Sequence, residues 1–237
     1  MIQLPLAGSG RKITINPSKI IAVGLNYREH VKESTSYGDK PLDIPTEPVL
    51  FAKTPNVLIG PGESILIPAH IKDYKLPDER VDPECELAII IGKRGRHIPA
   101  EKAFEYILGY TCFNDVSQRN IQKSDPSGWF RGKSFDTFGP IGPVIVTHSD
   151  MIGNGGDPQE LNVTCKINGV IKQSGNTREM IFTIPVLISY ISRQFTLEEG
   201  DVIATGTPSG ISPIVPGDTV EVEVEKIGIL RNPVEAE

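Results

Sequence analysis

Val81-Asp82-Pro83-Glu84-Cys85-Glu86-Leu87-Ala88-Ile89-Ile90-Ile91-Gly92 is the stretch on which the fold turns. From Leu87 to Ile91 it is apolar and partly β-branched, and Gly92 closes the run. Those features predict a buried strand at the heart of a sheet. Two carboxylates, Glu84 and Glu86, stand at its entrance. On a strand, side chains at i and i+2 share a face, about 7 Å apart. Two like charges aimed at one place beside a buried strand repel each other and lose hydration. A hard divalent cation removes that penalty, because carboxylate oxygens are its preferred ligands. The same Glu-x-Glu also suits a strand end whose acids face water.

Working outward, the next strand in sequence is Ile107-Leu108-Gly109-Tyr110-Thr111-Cys112-Phe113, and Asp115 follows at its end. Strand termini are where a rigid scaffold delivers functional groups. Ser117 to Lys123 reads as a helical turn carrying Gln118, Arg119 and Gln122. Gly128 to Pro140 mixes the chain's one tryptophan with aromatics, two cations and small residues, a loop suited to an anionic organic molecule or to plain surface packing. Upstream, Ile20 to Gly24 is a short apolar strand. Asn26 is placed to cap a helix in which His30 and Glu33 share a face. A carboxylate beside an imidazole orients it and raises its basicity, as a water-activating base requires. An ordinary surface helix would carry the same pair. The polar segment 34–48 reads as a loop, a candidate lid over His30.

Pro48 to Pro55 reads as a strand, with Lys53 either a snorkelling strand lysine, the favoured reading, or a pocket cation. Leu58 to Gly62 reads as a turn, and 71–83 as loop. Asn162–Ile167 and Val170–Ser174 flank Asn168-Gly169, a hairpin signal of the type I′ class. Pro185 to Phe195 has helical periodicity with Val186, Leu187, Tyr190, Ile191 and Phe195 on one face, and Gly200 is expected just past its end. Thr205-Gly206-Thr207-Pro208 offers hydroxyls and backbone N–H groups that suit a carboxylate.

Composition bounds the reading. The chain has 237 residues, 23% charged and 38% hydrophobic, with 23 Gly and 20 Pro. That describes a globular, turn-rich and β-rich protein rather than a disordered chain or a helical bundle. A net charge of −6 argues against a nucleic-acid-binding surface. Cys85, Cys112 and Cys165 form no CxxC pair, so zinc-ribbon and thioredoxin readings fail and buried free thiols are expected. No signal pattern or membrane-length apolar run is present, and a cytoplasmic location is expected. The four histidines are scattered, which disfavours a His-rich cupin metal site.

Taken together, Gly24-Leu25-Asn26-Tyr27 with His30 and Glu33, Phe51-Ala52-Lys53, Gly60-Pro61, Glu84-Cys85-Glu86-Leu87-Ala88, Asn114-Asp115-Val116-Ser117 with Arg119, Gly132-Lys133-Ser134-Phe135-Asp136 and Thr205-Gly206-Thr207-Pro208 resemble the fumarylacetoacetate hydrolase family. The resemblance implies an α+β, β-rich fold, a mixed-sheet roll or sandwich with a few short helices. It implies a short N-terminal segment, 1–19, before a catalytic domain over 20–237, and a homodimer. It implies Mg²⁺, with Mn²⁺ or Ca²⁺ as substitutes, held by Glu84, Glu86 and Asp115. His30 and Glu33 would be the catalytic dyad and Lys133 would stabilise negative charge. Thr207 would touch a substrate carboxylate, and Arg119 and Gln122 would line or brace the pocket. The implied substrate is a 2-oxo acid. The leading expectation is hydrolytic C–C cleavage of an acylpyruvate. The alternatives are isomerisation of a hydroxyheptadienedioate, decarboxylation of an oxo-diacid, and a non-catalytic ligand-binding protein on the same scaffold.

Overall fold

The computed structural model describes residues 1–34, 43–74, 79–126 and 128–237. Its centre is the strand Cys85–Ile91, every residue of which is buried. That strand sits fourth in a mixed seven-stranded sheet ordered Val49–Lys53, Ile20–Gly24, Val202–Ala204, Cys85–Ile91, Ile107–Asn114, Gly139–Thr147, Leu58–Ile59. The Ile20–Gly24 and Val202–Ala204 strands run parallel, and both neighbours of Cys85–Ile91 run antiparallel to it. A second sheet of five strands takes the order Val170–Asn176, Asn162–Ile167, Thr219–Val224, Gly228–Ala236, Ile65–Ile67.

From Leu87 to Ile91 the central strand is apolar because both of its faces are covered. Cys85, Leu87, Ile89 and Ile91 join a core that also takes Val163, Cys165, Val222 and Val224 from the second sheet. Ala88 and Ile90 point the other way, into a smaller core with Ile20, Ala22, Val202 and Ile141. Alternation of side chains along a strand produces this division. Residues before position 20 form a hairpin, Ile2–Pro5 with Lys12–Ile15, whose Leu4 and Ile15 enter the smaller core. The fold is thus α+β and strand-rich with few short helices, as expected.

Several local expectations need correction. The five-residue face drawn on the 185–195 helix is wrong. In the helix Ile184–Gln194 the buried aliphatics are Ile184, Leu187, Ile188 and Ile191, while Val186 and Phe195 are exposed. Gly200, at φ 86°, serves the turn into Val202–Ala204 and not the helix end, whose C-cap is Phe195. Leu58–Ile59 is a short strand parallel to Gly139–Thr147. Val81–Asp82 pairs with Ser117–Gln118, so the segment before Glu84 is strand and not loop. The Asn168-Gly169 hairpin forms as expected, with φ of 52° and 78°. The three cysteines are buried free thiols. Among the described residues no helix is long and apolar enough to cross a membrane. Most of the loop singled out as a lid, residues 35–42, lies outside the described residues.

Candidate active site

The register of the central strands builds the site. Cys85 pairs with Asn114, and the Asp115 N–H donates to the Glu84 carbonyl at 2.9 Å, so Glu84 and Asp115 face each other at the ends of adjacent strands. Glu86 shares its face with Ala88 and Ile90, but at this end the apolar filling stops and a narrow cleft begins. Glu84, Glu86 and Asp115 each present an oxygen within 4.8 Å of the others, and all three are buried.

Each acid has one oxygen tied to the scaffold. Glu84 Oε1 accepts from Arg119 Nη2, Glu86 Oε2 accepts from the Gly206 N–H at 2.8 Å, and Asp115 Oδ1 accepts from Lys53 Nζ at 2.6 Å. Of the opposite oxygens, Glu84 Oε2 and Asp115 Oδ2 both accept from Lys133 Nζ at 2.7 Å. The remaining oxygen of Glu86 has no hydrogen-bond partner among the described residues. Burial, with the charges of Asp115 and Glu84, holds the Glu86 carboxyl well above the ordinary carboxylate range. Burial pushes Glu84 the same way, but Arg119 and Lys133 overcome it and hold that carboxyl below its usual value. An all-oxygen donor set, crowded and short of positive charge at Glu86, fits a hard divalent cation.

The cations divide into fixed and available. Arg119 is fully engaged: its Nε donates to Asp82 at 2.7 Å and its Nη1 to Gln122 Oε1 at 3.0 Å, besides the bond to Glu84. Asp82 is also held by Arg80. Gln122 lines the cleft, and its amide nitrogen has no partner among the described residues. Burial lowers the Lys133 pKa, but two carboxylates outweigh it and the net shift is upward, so Lys133 stays charged.

Lys53 corrects the sequence reading. It does not snorkel: its ammonium is wholly enclosed and bonded to Asp115. Burial and the charge of Lys133 pull its pKa below the usual lysine value, against the pull of Asp115. Asp82 and Gln173 are further buried polar groups that pattern reading missed. An acid two residues before Glu84 was visible, but only Arg119 gives it a purpose.

On the opposite wall, the helix Arg28–Glu33 carries His30 into the cleft, with Glu33 Oε2 3.3 Å from His30 Nδ1. Glu33 also accepts from the Gly210 N–H at 3.0 Å. Burial opposes ionisation of Glu33, but His30 and the backbone N–H groups outweigh it and hold its pKa below the ordinary carboxylate value. Asn26 does not cap this helix; the N-cap is Tyr27, without a side-chain bond. Asn26 instead bonds the Phe182 N–H and the Phe182 and Thr205 carbonyls, tying the helix entrance to the far side of the cleft. Leu25, at φ 57°, makes the turn between strand and helix and packs with Val31 and Trp129. Thr207 lines the cleft, but its hydroxyl proton is committed to the Cys85 carbonyl at 2.9 Å while its oxygen accepts from Gln173. All nine singled-out residues therefore gather at one end of the central strands.

A mixed sheet that gathers buried acids at its strand ends, beside a His–Glu pair and a charged lysine, defines a candidate metal-assisted enzyme of the strand-rich α+β class. Comparison with known proteins narrows this. The family model "Fumarylacetoacetate (FAA) hydrolase C-terminal" matches residues 19–235, and the chain belongs to the fumarylacetoacetate hydrolase family. It is 39% identical to a mitochondrial oxaloacetate tautomerase of Rattus norvegicus, over 92% of this chain and 66% of that protein. The structure of 2-hydroxyhepta-2,4-diene-1,7-dioate isomerase from Mycobacterium marinum superimposes with a TM-score of 0.79 at 38% identity, covering 97% of this chain and 82% of that one. Maleylpyruvate hydrolase from Sphingobium sp. SYK-6, in complex with manganese(II) and pyruvate, gives a TM-score of 0.75 at 33% identity, covering 93% and 71%. Isomerases, hydrolases and tautomerases thus share this scaffold, and the chain is of that enzymatic family.

Proposed function

We propose that this protein is a divalent-metal-dependent enzyme acting on 2-oxo acids, with hydrolytic C–C cleavage of an acylpyruvate as its leading reaction. The observation that carries the reading is the convergence of Glu84, Glu86 and Asp115 within 4.8 Å. These residues would hold Mg²⁺, or Mn²⁺ or Ca²⁺ in its place. The bound cation supplies Lewis acidity at the carbonyl and carboxylate of a 2-oxo acid. That manganese and pyruvate occupy the Sphingobium hydrolase supports both the metal and the substrate class.

The chain's own groups supply the rest. Lys133, at the junction of two acids and the cleft, steadies negative charge developing on substrate oxygen. The free amide nitrogen of Gln122 is a second donor, and Arg119 braces Gln122 and Glu84. Thr207, pinned by Gln173 and Cys85, forms the wall on which a substrate carboxylate rests. His30, oriented by Glu33, takes a proton from water for the attack on the second carbonyl. A homodimer is the proposed assembly.

A second reading is supported by the modest cleft and by the tautomerase relatives: enol–keto interconversion of a small 2-oxo diacid, in which His30 moves a carbon-bound proton. A panel of acetylpyruvate, fumarylpyruvate, oxaloacetate enol and a hydroxydienedioate, run with Mg²⁺ and with chelator, separates the two. Acylpyruvate loss that chelator abolishes is the expected result. No Mg²⁺-dependent change in any of the four would sink the proposal.

A further inference from the structure

Lys53 is a buried lysine in a strand that contributes no other charge to the site. Its strand, Val49–Lys53, is an edge strand of the large sheet, with two strands between it and Cys85–Ile91. The Lys53 ammonium donates to Asp115 Oδ1 at 2.6 Å and to the Val116 carbonyl at 3.3 Å. Its side chain has no solvent exposure and is not part of the cleft wall. It therefore cannot touch substrate.

Each acid of the cluster has one oxygen fastened from behind and one turned inward. For Glu84 the fastener is Arg119, and for Glu86 it is the Gly206 N–H. Lys53 does the same for Asp115. Lys133, by contrast, is shared between Glu84 and Asp115 and meets Asp115 at the inward oxygen, Oδ2, from the cleft side. We propose that Lys53 is a positioning residue that fixes the Asp115 carboxylate through Oδ1, so that Oδ2 is the oxygen presented to a divalent cation. This rests on the metal-dependent reading above. Charge works against it, since an ammonium near a cation site repels the cation. Orientation dominates when the ligand would otherwise rotate, and loss of such an outer partner typically weakens metal affinity about 10–100-fold.

The test uses Lys53→Met, which keeps the length and removes the charge, Asp115→Asn, and the two combined as Lys53→Met/Asp115→Asn. Mn²⁺ binding is read by the fall in free-ion electron paramagnetic resonance signal, and stability by thermal melting. Mn²⁺ Kd in Lys53→Met should rise about 10–100-fold, and turnover lost at low Mn²⁺ should return as Mn²⁺ is raised. The losses of melting temperature in Lys53→Met and in Asp115→Asn should together exceed the loss in the double variant, because the two side chains act as one pair. Unchanged or tighter Mn²⁺ binding in Lys53→Met overturns the proposal, as do losses that simply add. If Lys53→Met does not fold, a folded double variant supports the pairing and an unfolded one overturns it. If the parental protein itself binds no Mn²⁺, the metal-dependent reading fails, and the melting comparison still judges the Lys53–Asp115 pairing.

Discussion

Replacing a single acid here removes a proposed metal ligand and also strands a cationic side chain. Glu84 neutralises parts of both Arg119 and Lys133, so Glu84→Gln leaves two buried charges short of a partner. Mn²⁺ affinity should fall by at least tenfold and melting temperature should drop as well; a titration and a melt on one sample check both. His30 differs, because it lines the cleft and, among the described residues, its side chain bonds Glu33 alone. His30→Ala should therefore lower kcat on acylpyruvate by about 10²–10⁴-fold while leaving Mn²⁺ binding nearly intact. Parental kcat in that variant would remove His30 as the base. The thiols make a third case at this scale. Burial pushes Cys112 and Cys165 up to about 12 and Cys85 well above its usual value. Thiolate is the reactive species, so an aromatic disulfide reagent should label none of the three at pH 8 until the protein is unfolded.

Among the elements, the strand Cys85–Ile91 does the most, since it carries Glu86, follows directly on Glu84 and divides two cores. Leu87 is fully buried on the face turned toward the second sheet. Leu87→Ala should cost about 2–5 kcal/mol, measured by denaturant unfolding, and its backbone also positions Thr205 through the Leu87 carbonyl. The helix bearing His30 is held differently. Gly24, at the end of its preceding strand, lies against the Trp129 ring, and an added Cβ would stand 2.4 Å from Trp129 Cζ3. Gly24→Ala must displace the indole from the cleft wall, so KM should rise and the melting temperature should fall. The reason is that Trp129 is buried in a small core with Leu25 and Val31 and has to leave it. That two glycine-flanked strands and a Glu-x-Glu would frame a site was readable from the residues. Which face of the Ile184–Gln194 helix is buried was not, because Val186 and Ile188 are both apolar and only the neighbouring elements choose between them.

Across the whole molecule, the response to acid depends on groups far from the cleft as well as in it. Burial lowers the His148 pKa below 6.5, opposed by Asp157. His148 stacks on Phe104 and bonds the Tyr110 hydroxyl at 2.9 Å. A histidine with a depressed folded pKa is protonated more readily in the unfolded chain. Its contribution is present above the unfolded value of 6.5 and is lost as pH falls through the lower folded value. Melting temperature in chelator should therefore decline as pH falls below about 6.5, and less so in His148→Gln. The Glu33 carboxyl, also held low, adds a loss of the same sign at more acidic pH.

The sequence by itself determined the strand core, the hairpin at Asn168-Gly169, the family, and which acids were candidates. Those are local or ordered signals: alternation, a turn dipeptide, and motifs in a fixed order along the chain. Tertiary structure decided what the charged residues are for. Lys53 in a strand looks the same in sequence whether it reaches water or a buried aspartate 62 positions away. Only the sheet order, which sets Val49–Lys53 beside Ile20–Gly24 and turns its last side chain inward, distinguishes the two. The same holds for Asp82 and Gln173, whose partners Arg119, Thr207 and the Cys85 N–H come from segments remote in sequence. Pairing across a sheet is a contact between residues remote in sequence, and no pattern along one strand encodes which ammonium will meet which carboxylate.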